Sequence, residues 1–320
     1  MNLESLLTAL LSAAILGSVP PMLAAVGESI SERAGLLNLG IEGTMLAGAF
    51  LAFWATLETG SHCAGLGVGI AVGVFIGLGF GLLATIGRAD QVVLGLGVTL
   101  AGAGGTAFVF REVYGSTQPL LSGGLGRPFA GAADWMPVVG PALTGQRWFV
   151  YIAWLLAIAL HLLLMRTPLG LRIRAAGESP LGLEAVGGSV WRVRLFAAGL
   201  GGAMSGLAGA SLSIVDLGFF SPGITGGIGF IAVALAMLGR LTPLRVAMFA
   251  LLFGLLTGLD TGLQVAGVEV RAEFLQMIPY LGMVVALVLF GRGTRLPAAL
   301  GQPWRGIGGQ GRAPGGPGVR

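Results

Sequence analysis

The sequence contains no lysine. A phosphate-binding loop of the form GxxxxGK[ST] needs that lysine to reach the nucleotide phosphates, so none can form here. A lysine Schiff base is excluded as well. If ATP drives this chain, a separate subunit must bind it. Cysteine is reduced to Cys63 alone, which rules out an internal disulfide and any metal or redox centre built on cysteines. Charge is scarce too: Asp, Glu and Arg make up 10% of 320 residues, against about 25% in a soluble domain. No cluster of His, Cys and carboxylate has metal-ligand spacing. GxSxG is absent and no Ser/His/Asp set stands out, so the residues offer no enzyme.

What is present is apolar. Hydrophobic residues make up 55% of the chain, and mean hydropathy is +0.89. Runs long enough to cross a bilayer of about 30 Å recur along its length. A closed β-barrel would instead alternate over short strands. The expected fold is an all-α polytopic membrane protein with about nine transmembrane helices, eight to ten, over residues 1–300. The spans run roughly over 3–26, 36–57, 63–87, 91–110, 148–165, 195–215, 224–238, 244–266 and 274–290. The first reads as a retained span, not a cleaved signal peptide, since no basic region precedes it. Pro20-Pro21 should break or kink it. The seventh is short enough to be re-entrant or broken. Residues 301–320, rich in Gly, Pro and Arg, read as a disordered tail.

The sequence pI is near 10.2. That charge does not point to nucleic acid, because the arginines sit at the ends of apolar spans, where they set orientation in a membrane. Placing 166–194 inside puts Arg33, Arg88, Arg240, Arg245, Arg292 and Arg295 inside with it, and only Arg111, Arg127, Arg147 and Arg271 outside. The bias predicts a cytoplasmic C-terminus. Glycines form a second pattern. Gly65, Gly69, Gly73, Gly77 and Gly81 fall every fourth residue; Gly202, Gly206 and Ala210 repeat the spacing, as do Gly97, Ala101 and Gly105. Such small faces let helix backbones approach closely in lipid.

The longest charged interruption is RTPLGLRIRAAGESPLGLEAVGGSVWRVR, residues 166–194. Ser179 fits an N-cap, Pro180 the first helical position, and Gly187 and Gly188 a stop. This predicts a helix of about two turns that needs a partner surface. Leu181, Ala185 and Val186 would form its apolar side, with Glu178 and Glu184 on the wet side. Polar groups at membrane depth are the other candidates. Asn38 and Glu42, and likewise Asp260 and Gln264, are spaced to share a helix face; each pair either lines a pore or bonds between helices. Gln91 opens the fourth span next to Asp90.

Two stretches carry a resemblance. ISERAGLLNLGIEGTMLAGAF, residues 30–50, and the loop with its following helix, residues 166–210, resemble the permease subunits of bacterial ABC importers for nucleosides and simple sugars. RADQVVLGL and GFIAVALAMLGRLTPL are similar to the same family, so the likeness spans nearly the whole chain in order. It implies an ABC importer permease bundle in the bacterial plasma membrane. The short helix would be a coupling helix, with Gly177, Glu178, Ser179, Pro180, Glu184, Ala185 and Gly187 contacting a separate cytoplasmic ABC ATPase; Val186 departs from the family's Glu-Ala-Ala-Gly. ATP and Mg²⁺ would be bound by that partner, with no cofactor and no ATP site in this chain. Further implied partners are membrane lipid, a second permease subunit, identical or not, and an extracytoplasmic substrate-binding lipoprotein. Transport would proceed by alternating access, with Asn38, Glu42 and Gln91 near the pathway. The related reading is a branched-chain amino acid permease, which IEGTML after NLG disfavours. A channel or secondary transporter without ATP, or a scaffold without transport, are readings of other classes.

Overall fold

The computed structural model describes residues 3–132, 136–265, 272–291 and 295–304, without the side chains of 260–265 and 272–276. The helices are α1 (Leu3–Arg33), α2 (Ile41–Thr59), α3 (His62–Thr85), α4 (Gln91–Tyr114), α5 (Val139–Thr144), α6 (Trp148–Arg166), α7 (Pro168–Glu178), α8 (Pro180–Ala185), α9 (Val190–Ala210), α10 (Ile228–Leu238), α11 (Pro243–Val265) and α12 (Ala272–Phe290). A π-helical turn, Ser211–Leu217, continues α9. The described residues contain no strand. Five helices are long and apolar enough to cross a membrane: Glu4–Arg33, His62–Thr85, Gln91–Tyr114, Trp148–Arg166 and Val190–Leu217. Shorter apolar helical stretches cover Ile228–Leu238, Pro243–Leu259 and Met277–Phe290. The chain is a polytopic helical membrane protein.

α1 is the central post, packed against α9, α10 and α11. Pro20 and Pro21 lie inside it, and the expected break does not occur. Val19, Met22 and Leu23 around them are buried on neighbouring helices. That packing keeps the helix continuous through the two backbone bonds that proline cannot make. α1 also runs past the expected end at Val26 to Arg33, taking Glu28 and Glu32 into its last two turns.

The glycine ridge of α3 meets the ridge of α9. A Cβ at Gly73 would strike the Gly202 carbonyl oxygen, and one at Gly202 would strike that of Gly73. Gly69 faces Gly206 and Ala210, and Gly77 faces Ala198 and Gly202. The two backbones therefore touch over most of their length, which maximises dispersion where lipid provides no hydrophobic drive. On α4 the expected ridge faces away: Gly97 and Gly105 have open space beside them, while Gly95 and Gly102 make the close approaches, to Leu39–Gly40 and to Gly43. Four-residue spacing finds a smooth stripe, but α4 has two such stripes and α2 takes the other. Gly202→Leu is expected to lower the melting midpoint of the purified protein by roughly 5 °C or more, an overpacking cost of about 1–3 kcal/mol. Gly97→Leu, on the open stripe, is expected to leave the midpoint unchanged.

Candidate functional site

Between α1 and α2 the chain is not helical. Residues 34–40, AGLLNLG, leave the end of α1 as two turns joined by a short irregular stretch. Non-helical backbone inside a helical bundle must find its hydrogen bonds elsewhere. Glu28 Oε1 accepts from Asn38 N at 3.0 Å. Gln91 Oε1 accepts from Leu37 N at 2.7 Å. Thr99 Oγ1 donates to Leu39 O at 2.9 Å. Asn38 Oδ1 accepts from Gly40 N at 2.9 Å and turns the chain into α2. Asn38 therefore precedes the helix, and the expected shared helix face with Glu42 is not formed. An asparagine two residues before a glycine competes with the helical ladder through its own side chain.

Glu42 sits in the first turn of α2 and is buried. Its carboxylate reaches across to the start of α10. Oε1 accepts from Thr225 Oγ1 at 2.5 Å and from Gly227 N at 2.9 Å. Oε2 accepts from Gly229 N at 2.7 Å. The segment feeding α10 is irregular: Gly218, Gly223, Gly226 and Gly227 all have positive φ, which glycine alone adopts cheaply. The helix dipole places positive charge at its N-terminus, and Glu42 neutralises it from within the chain. Of the seventh span, expected over 224–238, Ile228–Leu238 is helical and follows this irregular approach.

Below that break lies a cavity of about 330 Å³. Its polar lining comes from Asp216 on the π-helical turn, Thr225 beside Glu42, Thr257 on α11 and Tyr280 on α12. Tyr280 Oη donates to Gly226 O at 3.0 Å. Gly17 and Pro20 of α1 and Pro279 of α12 complete it, with apolar Leu212, Ile228 and Phe253. Several of its walls are irregular parts of their helices, a π turn, two prolines and a helix start, while Phe253 and Thr257 come from regular turns of α11. Non-helical backbone at membrane depth is tolerated where it lines a cavity. Pattern reading did not find Asp216, Thr225, Thr257 or Tyr280. The available signal was the glycine-rich run SPGITGGIG before the seventh span. Of the expected polar residues, Glu42 touches this cavity's wall through Thr225, whereas Asn38 and Gln91 support the α1–α2 break. The side chains of Asp260 and Gln264 lie outside the described residues.

The other functional candidate is the loop end of the bundle. α8 starts where the sequence indicates: Ser179 Oγ accepts from Gly182 N at 3.2 Å, and Pro180 is its first residue. Gly187, at φ +78°, ends it, with Gly187 N donating to Glu184 O and Gly188 N to Leu183 O at 2.9 Å each. An unexpected helix, α7, precedes it. Thr167 accepts from Gly170 N at 3.1 Å and Pro168 follows, the same two-residue signal as Ser179-Pro180. Leu181, Ala185 and Val186 share one side of α8 and Glu178 is exposed, as the sequence indicates; that apolar side has no partner within the described residues. Pro180 and Leu183 are buried, while Leu181, Ala185 and Val186 face outward, Val186 with 82% of its surface exposed. Glu184 is not wet: its Oε1 accepts from the Trp304 indole Nε1 at 2.7 Å.

That contact brings residues 298–304 into the loop. Ala299 N donates to Gly177 O at 2.9 Å, and Gly301 N to Gly35 O at 3.2 Å. Gly177 is pressed onto the Arg33 carbonyl, where no side chain would fit. Glu178 lies 4.0 Å from Arg33. Arg194, fully buried at 0% exposure, donates Nε to Ala34 O at 3.1 Å, Nη1 to Gln302 O at 3.1 Å and Nη2 to Ala299 O at 3.4 Å. One guanidinium thus ties the α1–α2 break to the segment after α12. Of the residues read as a tail, 301–304 take part in this contact, and 305–320 lie outside the described residues.

Comparison with known proteins places this architecture. A family model described as "Branched-chain amino acid transport system / permease component" matches residues 9–290. A guanosine ABC transporter permease protein of Bacillus subtilis is 30% identical over 95% of this chain and 98% of its own length. A nucleoside ABC transporter permease protein of Lactococcus lactis is 31% identical over 91% of this chain and 94% of its own. A putative glucose ABC transporter permease protein of Haloferax volcanii is 38% identical over 76% of this chain and 74% of its own. No solved structure matches the chain.

Proposed function

Because the chain belongs to this family of ABC transporter permease components, we propose that it is one of two permease subunits of an importer for nucleosides, with simple sugars as the related class. The reading of the substrate rests on one observation, the cavity beneath the start of α10. Hydroxyls of Thr225, Thr257 and Tyr280 and the carboxylate of Asp216 line it; among the described residues no basic side chain does, Arg147 acting on Asp216 only from outside the lining. Its volume lies at the lower end of small-ligand sites. Transporters that bind a substrate carboxylate commonly present a half-helix N-terminus to it. Here Glu42 already occupies that terminus. A zwitterionic amino acid would meet an acid and no free anion site; a neutral, hydroxyl-rich solute would meet matched hydrogen-bonding groups. This disfavours the branched-chain amino acid reading.

The loop end faces the cytoplasm, and α8 is the coupling helix. Bare apolar Leu181 and Val186 supply the contact for a separate ATPase, which binds the ATP and Mg²⁺. Gly177, Glu178, Ser179, Pro180, Glu184, Ala185 and Gly187 shape and hold that helix. Residues 1–300 form the permease domain. A second permease completes the path, and an extracytoplasmic binding protein delivers substrate. Movement of α8 reaches the α1–α2 break through Glu184, Trp304 and Arg194, and the spans then alternate access.

The test is uptake of labelled guanosine in source cells with and without the gene, competed by unlabelled uridine, ribose and leucine. Loss on deletion, with competition by nucleosides, supports the reading; competition by leucine alone overturns the substrate class. In the same assay Asp216→Asn is expected to cut uptake about tenfold at unchanged membrane level, the effect of weakening one charge-assisted substrate bond. Glu184→Arg is expected to abolish uptake and ATPase co-purification together. Trp304→Phe should keep co-purification, separating the dock from the internal bond.

A further inference from the structure

A second cavity lies at the loop end, away from the one beneath α10. It is a groove of about 620 Å³ between α7, α8 and the start of α9. Its floor is apolar, from Leu171, Leu183, Val186 and Val193. Two arginines, Arg172 from α7 and Arg192 from α9, line it. Neither makes a hydrogen bond or ion pair among the described residues; Arg192 only lies over the Trp191 ring at 5.3 Å. Ser189, at the N-cap of α9, also lines the groove, and its hydroxyl is buried without a partner. Two arginines without partners among the described residues, an unused hydroxyl and a helix start therefore line one groove.

We propose that this groove is a binding site for an anionic phospholipid of the leaflet on the loop side. The headgroup phosphate takes the two arginines and Ser189, and an acyl chain runs along the apolar wall. Position selects a lipid over a soluble phosphate. α6 ends at Arg166 and α9 starts at Val190, so the groove lies at the ends of two apolar helices. Phe196, one turn beyond Arg192 on α9, is exposed, as is Leu171 on α7. They continue the groove into the apolar band. Trp191 is placed where an interfacial aromatic anchors. Val186 and Gly187 belong both to the groove and to the end of α8, so the test below reads lipid retention and ATPase co-purification separately.

The test uses the full-length protein, co-expressed with its ATPase, in nanodiscs of phosphatidylcholine with a minor fraction of phosphatidylglycerol. Retained lipid is read by native mass spectrometry. The native protein is expected to enrich phosphatidylglycerol, and the double substitution Arg172→Gln with Arg192→Gln to weaken that retention roughly thirtyfold. Arg127→Gln, a control far from the groove in the sequence, should leave it unchanged. Unchanged enrichment in the double variant overturns the site. So does displacement of the lipid by inorganic phosphate alone, which would make the ligand a soluble anion. Loss of ATPase co-purification with lipid retention unchanged would assign the arginines to the protein partner instead. A fold-integrity arm, the melting midpoint in pure phosphatidylcholine, should match between variant and native protein.

Discussion

Glu42→Ala is expected to unseat α10 and with it the cavity, abolishing uptake and lowering the melting midpoint of the purified protein by roughly 5–10 °C. Three donors point at this one carboxylate: the Thr225 hydroxyl and the Gly227 and Gly229 amides. A hydrogen bond to a charged group contributes about 1.5–3 kcal/mol, and a buried donor left bare costs about 1–3 kcal/mol. Alanine removes all three bonds and leaves three donors beside the cavity without their acceptor. Burial of the carboxylate is itself costly, so part of the loss is returned; the net remains roughly 3 kcal/mol or more. Glu42→Gln separates the contributions. It keeps one acceptor oxygen and turns a second group into a donor facing the Gly229 amide, so it should be nearly as damaging. Thr225→Val, which removes one donor and leaves both amides satisfied, should cost about 1–2 kcal/mol. If Glu42→Gln retained full stability, charge at the α10 terminus would not be what holds it.

Arg194→Met is expected to act differently, freeing a segment rather than melting the bundle. The methionine keeps most of the volume. It removes the bonds to the Ala34, Gln302 and Ala299 carbonyls, but it also ends the burial of a cation with no acid beside it. Gross gain and desolvation cost are each several kcal/mol and oppose one another, so the change in global stability is small. The local change is not. Without the guanidinium, residues 298–304 keep only two backbone bonds and the Trp304–Glu184 contact to the loop. Hydrogen exchange at the Ala299 and Gly301 amides should accelerate at least about tenfold, matching a local opening cost lowered by about 1.4 kcal/mol. Uptake should fall while ATPase co-purification persists. Arg194→Lys should fall between, because a compact ammonium cannot span three carbonyls as a planar fork does. A large drop in global melting with protection at Ala299 unchanged would show that Arg194 serves the core instead.

How much of this was legible in the sequence depends on range. Signals carried by adjacent residues were readable: Ser179-Pro180 starts a helix and Gly187 stops it because capping is local chemistry. The all-helical membrane class followed from runs of apolar residues. The α3 ridge was visible as a stripe, but its partner was not, since spacing says nothing about which neighbour arrives. Pro20-Pro21 does not break α1, because packing on α9 and α11 outweighs what the local backbone prefers. Asn38 and Glu42 have helical spacing, yet Asn38 turns a non-helical strand of chain; its bond to Gly40 competes with the helix. The cavity was least legible. Pro20, Asp216, Thr225, Thr257 and Tyr280 come from five stretches far apart, and each looks ordinary in its own span. Trp304 was read with a tail because composition alone describes that segment, while its hydrogen bond to Glu184 depends on a helix over a hundred residues earlier.

The seam between α3 and α9 bears on how such a bundle can move. Where two backbones interlock with no side chains between them, there are no rotamers to adjust and no soft layer to shear. Gly73 and Gly202 fill each other's notches, so a slide of even a fraction of a turn drives carbonyl into Cα. The pair therefore behaves as a keel, and α2, packed on both, moves with it. Reorientation must be taken up where side chains or irregular backbone mediate the contact: at the glycine-rich approach to α10 and at the α1–α2 break. The close-packed seam and the two irregular segments lie in one molecule, and the cavity lies beside the irregular approach to α10.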